Sequence, residues 1–141
     1  MKISAKSRYG LRAMVYLARS KKICSVKTIA QDENISFDYL EKIFSKLEKA
    51  DLVKAKRGAQ GGYLLARSPQ KITVGEIVRV LEETMAIAPC VAEEKEKKYH
   101  CPLRRMCSIR NVWQKTQDTL NSTLDSIILT DLVDKKYEKK E

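Results

Sequence analysis

The sequence predicts a mainly α-helical chain with a small antiparallel β wing: a winged helix-turn-helix followed by a long C-terminal dimerisation helix. Three observations carry that reading. Two short helical segments lie a few residues apart in the first third, the basic hairpin LVKAKRGAQGGYLL follows them, and an apolar stripe at helical spacing occupies the last third. Helix-turn-helix running straight into a basic hairpin is the order of a winged helix.

Residues 4–20 set Tyr9, Leu11, Met14, Val15, Leu17 and Ala18 at spacings that suit a partly apolar helix, with Arg8, Arg12 and Arg19 between them. Lys21 and Lys22 mark a turn. Residues 25–32 form a short second helix with Val26, Ile29 and Ala30 to pack, and at that length it borrows stability from its neighbours. A turn is expected over 31–36. Ser36 then caps a third helix, with Ile35 and Leu40 at the N′ and N4 positions of a hydrophobic staple. Leu40, Ile43, Phe44 and Leu47 form its apolar stripe, which leaves Phe37, Asp38, Glu41, Lys42, Ser45, Lys46 and Glu48 on other faces. Residues 52–57 read as a strand, 58–62 as a glycine-rich turn and 63–65 as the returning strand.

Ser68, Pro69 and Gln70 separate the wing from another helix, where Thr73 and Glu76 make a capping box ahead of Ile77, Val78, Val80 and Leu81. Residues 88–102 lack periodicity and read as a loop. A long helix is expected over 103–128, with Ile109, Trp113, Thr116, Leu120, Leu124 and Ile127 on one stripe and a length of about 39 Å. That stripe exceeds what a domain of this size needs, which favours a partner helix from a second copy over folding back across its own domain. The chain thus divides into a winged helix-turn-helix DNA-binding domain (1–83), a cysteine-bearing sensor loop (84–102), a dimerisation helix with a docking segment (103–133) and a polar tail (134–141) that frays from Lys135.

A chain of 141 residues allows one compact core rather than two full domains. Its start, MKISAKSRYG, lacks the apolar stretch of a secretion signal or membrane span, so a cytoplasmic protein without a membrane partner is expected. The formal charge is +10, and its distribution is more telling than its size. Residues 1–72 hold 16 Lys or Arg against 6 Asp or Glu, whereas residues 73–141 hold 12 of each. A positive field confined to one half suits a polyanion such as double-stranded DNA, and an RNA-binding or ribosomal protein would share it. On the third helix, Asp38, Glu41 and Lys42 are the candidates for reading base edges in the major groove, because the core stripe excludes them. In the wing, Arg57 suits a narrow minor groove, with Lys54 and Lys56 neutralising backbone phosphates.

Four cysteines are present, and Cys90, Cys101 and Cys107 fall within 18 residues. Their thiolates would suit zinc or an iron-sulfur cluster, provided a fourth donor is supplied. His100 is chemically able and local, although its adjacency to Cys101 restricts simultaneous coordination; an acidic group, another Cys or His, a small thiol or a partner-subunit residue are the other sources. Cys24 stands apart and is expected to pack near the helical core. No closely spaced Ser, His and acid set, no GxxxxGK motif and a single histidine leave an enzyme, or any small-molecule substrate, without a nominated site. The clustered thiols keep a redox protein open as an alternative, as does a DNA-binding regulator that works without a cluster.

The opening MKISAKSRYGLRAMVYLA, the segment SFDYLEKIFSKLEKADLVKAKRGAQGGYLLAR and ITVGEIVRVLE resemble a family of winged-helix transcription regulators. That family contains the iron-sulfur cluster regulator IscR, the nitric-oxide-sensitive repressor NsrR and the cysteine-metabolism repressor CymR. The likeness is tight over about residues 1–83 and extends to about residue 133. It implies a homodimer paired through the long C-terminal helix, with Glu41 and Lys42 at operator-reading positions and Arg57 at a wing contact. Lys42 stands where the iron-sulfur cluster regulator has glutamine. The resemblance also implies that Cys90, Cys101 and Cys107 are ligands of a 2Fe-2S or 4Fe-4S cluster that couples iron, oxygen or nitric oxide status to transcription. The family pattern is not followed throughout: the Cys90 to Cys101 gap is longer, Arg110 stands where one branch has histidine, and Arg8 where another has aspartate.

Overall fold

The computed structural model describes residues 2–133; the tail expected over 134–141 lies outside the described residues. Three helices open the chain: α1 (Ala5–Ser20), α2 (Val26–Glu33) and α3 (Phe37–Lys49). Each begins on a serine, Ser4, Ser25 or Ser36, whose hydroxyl accepts a hydrogen bond from the backbone N–H three residues on. Such a cap satisfies a donor that has no partner inside the helix and stabilises by about 1 kcal/mol.

The turn between α2 and α3 is shorter than the sequence suggested. Asn34 takes a left-handed conformation (φ 53°, ψ 51°), and Ile35 N–H returns to the Ala30 carbonyl at 2.9 Å. Asparagine tolerates that conformation, so α2 runs on to Glu33 before the chain reverses. α3 ends just as sharply. Leu52 N–H bonds the Leu47 carbonyl and Asp51 N–H bonds the Glu48 carbonyl, both at 3.0 Å, with Asp51 at φ 57°. These are the paired bonds of a Schellman stop, sealed by the buried side chains of Leu47 and Leu52. Leu52 therefore closes the helix instead of opening the strand.

The wing pairs β1 (Val53–Lys56) antiparallel with β2 (Gly62–Leu65), in a register from Val53 opposite Leu65 to Lys56 opposite Gly62. Arg57 is left in the connecting turn, outside the strand. Cys24 adds a short third edge: its N–H bonds the Tyr63 carbonyl at 3.0 Å and its carbonyl accepts from Tyr63 N–H at 2.8 Å. A Cβ on Gly62 would stand 2.2 Å from the Cys24 carbonyl oxygen, so that contact requires glycine. Cys24 is buried in the core, as expected.

α4 (Val74–Leu81) carries both reciprocal bonds of the capping box between Thr73 and Glu76. Its Ile77 joins Met14, Leu40, Ile43, Phe44 and Leu129 in the core, and these six side chains are wholly shielded from solvent. Each side chain of that size stabilises the fold by about 1.5–3 kcal/mol on burial. The expected loop over 88–102 carries two single 3-10 turns, Pro89–Val91 and Lys97–Tyr99.

The largest departure from expectation is the C-terminal helix. α5 (Arg110–Ser126) begins seven residues later than predicted, spans 17 residues and measures about 26 Å. Apolar residues at 103, 106 and 109 keep a helical spacing, but the chain there closes into successive turns. The Leu103 carbonyl accepts from Met106 N–H at 2.9 Å and from Cys107 N–H at 3.0 Å, and the Cys107 carbonyl then accepts from Arg110 N–H at 3.3 Å. After α5 the chain returns to the main body: Val74 N–H bonds the Ile127 carbonyl and Leu129 N–H bonds the Ile72 carbonyl, both at 2.9 Å. α6 (Leu129–Val133) then packs on α1.

Candidate nucleic-acid interface and the cysteine segment

α3 has two faces of opposite character. Leu40, Ile43, Phe44 and Leu47 are entirely buried, and Phe37, Asp38, Glu41, Lys42, Ser45 and Glu48 are exposed. Spacings of three and four along a helix enforce this division. The hairpin is fixed to α3 by the Tyr63 ring, which stacks on Phe44 with centroids 4.6 Å apart and planes at 16°. Burial, and then Glu48 at 3.5 Å, push the Tyr63 phenol above its usual range.

Lys54, Lys56 and Arg57 are exposed on this fixed wing, as Lys42 is on α3. Among the described residues, none of these four cations is in an ion pair. Other cations nearby are already neutralised: Arg12 pairs with Glu33 at 2.8 Å and Arg67 with Glu76 at 3.0 Å. Burial works to raise the Glu76 carboxyl, but the Thr73 N–H and the Arg67 guanidinium outweigh it and hold it below its usual range. Tyr16 clamps α1 to α2 by donating to Asp32 at 2.5 Å, an interaction that, with burial, pushes its phenol up to about 12. Unpaired positive charge is thus left on the α3 and wing side, facing outward beside Asp38 and Glu41.

The three clustered cysteines are not brought together. Cys90 is only 7% exposed. Cys101 is half-buried and shares an open pocket with His100, Glu93, Glu96 and Arg104, whereas Cys107 lines a different pocket with Ser108 and Asn111. Among the described residues, no three His, Cys, Asp or Glu side chains converge into a set that would hold a metal ion. Two arginines fasten the segment instead. Arg110 donates to the Cys90 carbonyl at 3.1 Å and Arg104 to the Ala92 carbonyl at 2.9 Å. The arrangement does not fit a four-donor metal centre, and the expected cluster-ligand geometry is absent from it. Arg8, the other departure noted in the sequence, is exposed, with its guanidinium 5.8 Å from the Tyr9 ring centroid.

The cysteine segment and α5 are joined to the winged domain by contacts that sequence reasoning missed. Gln117, buried in the middle of α5, accepts from Ile87 N–H at 2.9 Å. Arg79 of α4 makes a two-pronged bond to Asp125 of α5, at 2.6 and 2.8 Å. Gly75 permits that approach, because a Cβ there would lie 1.9 Å from an Asp125 oxygen. A polar residue interrupting an apolar stripe, as at Gln117, was the available signal for the first of these. The Arg79 and Asp125 pairing spans 46 residues and had none. On its outer side α5 leaves Val112 and Trp113 exposed at 55% and 39%, and Ile109, just before the helix, is exposed at 55%.

A family model described as Rrf2, iron-dependent transcriptional regulator, matches residues 3–135. The chain belongs to the Rrf2 family. These proteins are DNA-binding transcription regulators rather than enzymes, and the resemblance read from the sequence is borne out. The HTH-type transcriptional regulator CymR of Bacillus subtilis is 41% identical over 134 residues, covering 94% of this chain and 89% of that protein. Its solved structure, described as the global cysteine regulator of that organism, matches with a TM-score of 0.74 over 94% of this chain and 96% of that one. The structure of T. potens IscR is 39% identical, with a TM-score of 0.74 over 94% of this chain and 86% of that one. Among the described residues no helix is long and apolar enough to cross a membrane.

Arg79 holds the Asp125 carboxyl below its usual range, so the pair stabilises the fold above the ordinary carboxylate value and ceases to as pH falls through the lowered one. Both side chains are more than one-third exposed, which limits the pair to about 0.5–1 kcal/mol. Asp125→Asn is expected to lose that much in urea melts at neutral pH. The gap between variant and wild type should close below about pH 4, and a gap constant with pH would show that the ion pair is not its source.

Proposed function

We propose that this Rrf2-family chain is a sequence-specific homodimeric transcription regulator. In this reading α3 enters the major groove and the Arg57 wing reaches the adjacent minor groove or backbone. One observation carries it: an outward-facing row of cations without ionic partners, on a helix and hairpin locked together by the Phe44 and Tyr63 stack. Asp38, Glu41 and Lys42 would meet base edges, while Lys54 and Lys56 would meet phosphates. The dimer would form through the exposed outer side of α5, placing the two reading helices about 34–36 Å apart on a roughly palindromic site.

The reading that the geometry favours is cluster-independent: the DNA-facing elements are assembled while Cys90, Cys101 and Cys107 remain apart. CymR of B. subtilis, described as a global cysteine regulator, is a relative consistent with that reading. The iron-sulfur reading rests on the donor set itself, three free thiols in one segment, and on the iron-dependent description of the family. Loading a 2Fe-2S or 4Fe-4S cluster would require the segment held by Arg104 and Arg110 to rearrange, with His100 or an outside group as fourth donor. Cytoplasmic location accompanies either reading.

Selection of sites from a random DNA library at fixed salt tests the function directly. Arg57→Ala should weaken the selected site by about tenfold or more, as expected for loss of one good specific contact, with thermal unfolding unchanged. Equal affinity of variant and wild type would remove Arg57 from the interface. Trp113→Asp should convert a dimer to monomer in sedimentation equilibrium, and an unchanged mass would move the dimer contact away from α5. Anaerobic reconstitution with iron and sulfide separates the two sensing readings. Cluster independence expects no retained iron or acid-labile sulfide and unchanged DNA affinity, whereas a stoichiometric cluster that alters affinity overturns it.

A further inference from the structure

The outer side of α3 is polar and charged except at its first residue. Phe37 is 45% exposed, and among the described residues 4–81 no other large apolar side chain is exposed. Leaving a phenyl group in water forgoes stabilisation that burial would give, and the fold around it is otherwise economical of apolar surface. Phe37 is not held out by a missing cap, since the Ser36 hydroxyl is bonded to Tyr39 N–H at 3.4 Å and Ile35 is buried beneath the turn.

Its position relates it to the reading surface. Phe37, Glu41 and Ser45 recur at intervals of four, so they share one face of α3. Phe37 also forms one wall of an open groove between α2 and α3, with Lys27, Ala30, Gln31 and Ile35 as its other walls. Lys27 is exposed and takes part in no ion pair among the described residues. An apolar wall beside an unpaired cation, at the N-terminal end of a helix whose polar residues face outward, matches the major-groove edge of DNA. There the thymine 5-methyl is the apolar group on offer, and phenylalanine is among the side chains that contact it.

From this juxtaposition we infer that Phe37 is a specificity-determining residue that reads the methyl group of a thymine in each half-site. The inference rests on the DNA-reading role proposed for α3 and adds to it a shape contact, alongside the hydrogen bonds of Asp38, Glu41 and Lys42. Lys27 would sit at the phosphate beside that thymine. An exposed Phe37 that served a protein contact instead would give no methyl dependence.

The experiment uses full-length protein and the site it selects from a random library. Each thymine of that site is replaced in turn by uracil, which removes the methyl and nothing else. Wild type should lose affinity by about fourfold, the worth of one buried methyl-sized group, at one symmetry-related position per half-site. Phe37→Ala should bind the thymine site more weakly and show no difference between thymine and uracil there, while Phe37→Leu should keep the difference. Circular dichroism and thermal melting confirm that the exposed position tolerates both changes. An undiminished thymine-to-uracil ratio in Phe37→Ala, or no sensitive thymine in wild type, overturns the inference alone. Failure of wild type to select any sequence overturns the DNA-reading function, and this inference with it.

Discussion

The surface proposed to face DNA depends on how α3 is seated. Leu40, Ile43, Phe44 and Leu47 are fully buried, and a helix that commits one stripe so completely has no freedom to roll. The Ser36 cap and the Schellman stop at Asp51 fix where that helix begins and ends. The same Phe44 that anchors α3 carries the stacked Tyr63 ring, so the hairpin inherits its position from the helix. Cys24 then grips β2 from the other side through two backbone bonds. α3 and the wing form one rigid unit as a result, and the spacing between Lys42 and Arg57 is a property of the core.

Much of this was legible in the sequence because it depends on local chemistry. Ser36, the Thr73 and Glu76 capping box and the stripe of α3 are signals confined to eight consecutive residues or fewer, and each appears where expected. The failures have a common cause. The start of the last helix was misplaced because residues 103, 106 and 109 keep helical spacing while the backbone turns on itself, a choice settled by Arg104 and Arg110 reaching back to the cysteine segment. Leu52 has the sequence signature of a strand residue because its role, closing the end of α3, is visible only once the hydrogen bond to Leu47 is formed. For the candidate site, sequence pattern located the outward side chains. It could not show which cations lack partners, since Arg12, Arg67 and Arg79 look no different from Arg57 until their carboxylates are found 9 to 46 positions away.

The cysteines illustrate a different limit. Spacing along a chain nominates ligands by chemistry, but coordination is a statement about convergence in space, and among the described residues Cys90, Cys101 and Cys107 form no converging ligand set. What the segment does supply is a mechanical link. Through Arg110 it is attached to the first turn of α5, and through Gln117, Arg79 and Asp125 that helix is attached to the winged domain. Any event that displaces Cys90 therefore pulls on the start of α5, and α5 is fastened to the end of the domain that holds the reader.

The uneven distribution of charge has a consequence for assembly. Residues 1–72, most of each winged domain, carry the whole +10 of the chain, and residues 73–141, which include α5, are neutral. In the proposed dimer, two like-charged heads are held on an uncharged stem, and they repel one another until a duplex lies between them. Added salt then acts in opposite senses on the two equilibria: it screens the heads and favours the free dimer, while it weakens the grip on phosphate. In that proposed dimer the nucleic acid would serve as counterion for the assembly as well as its target.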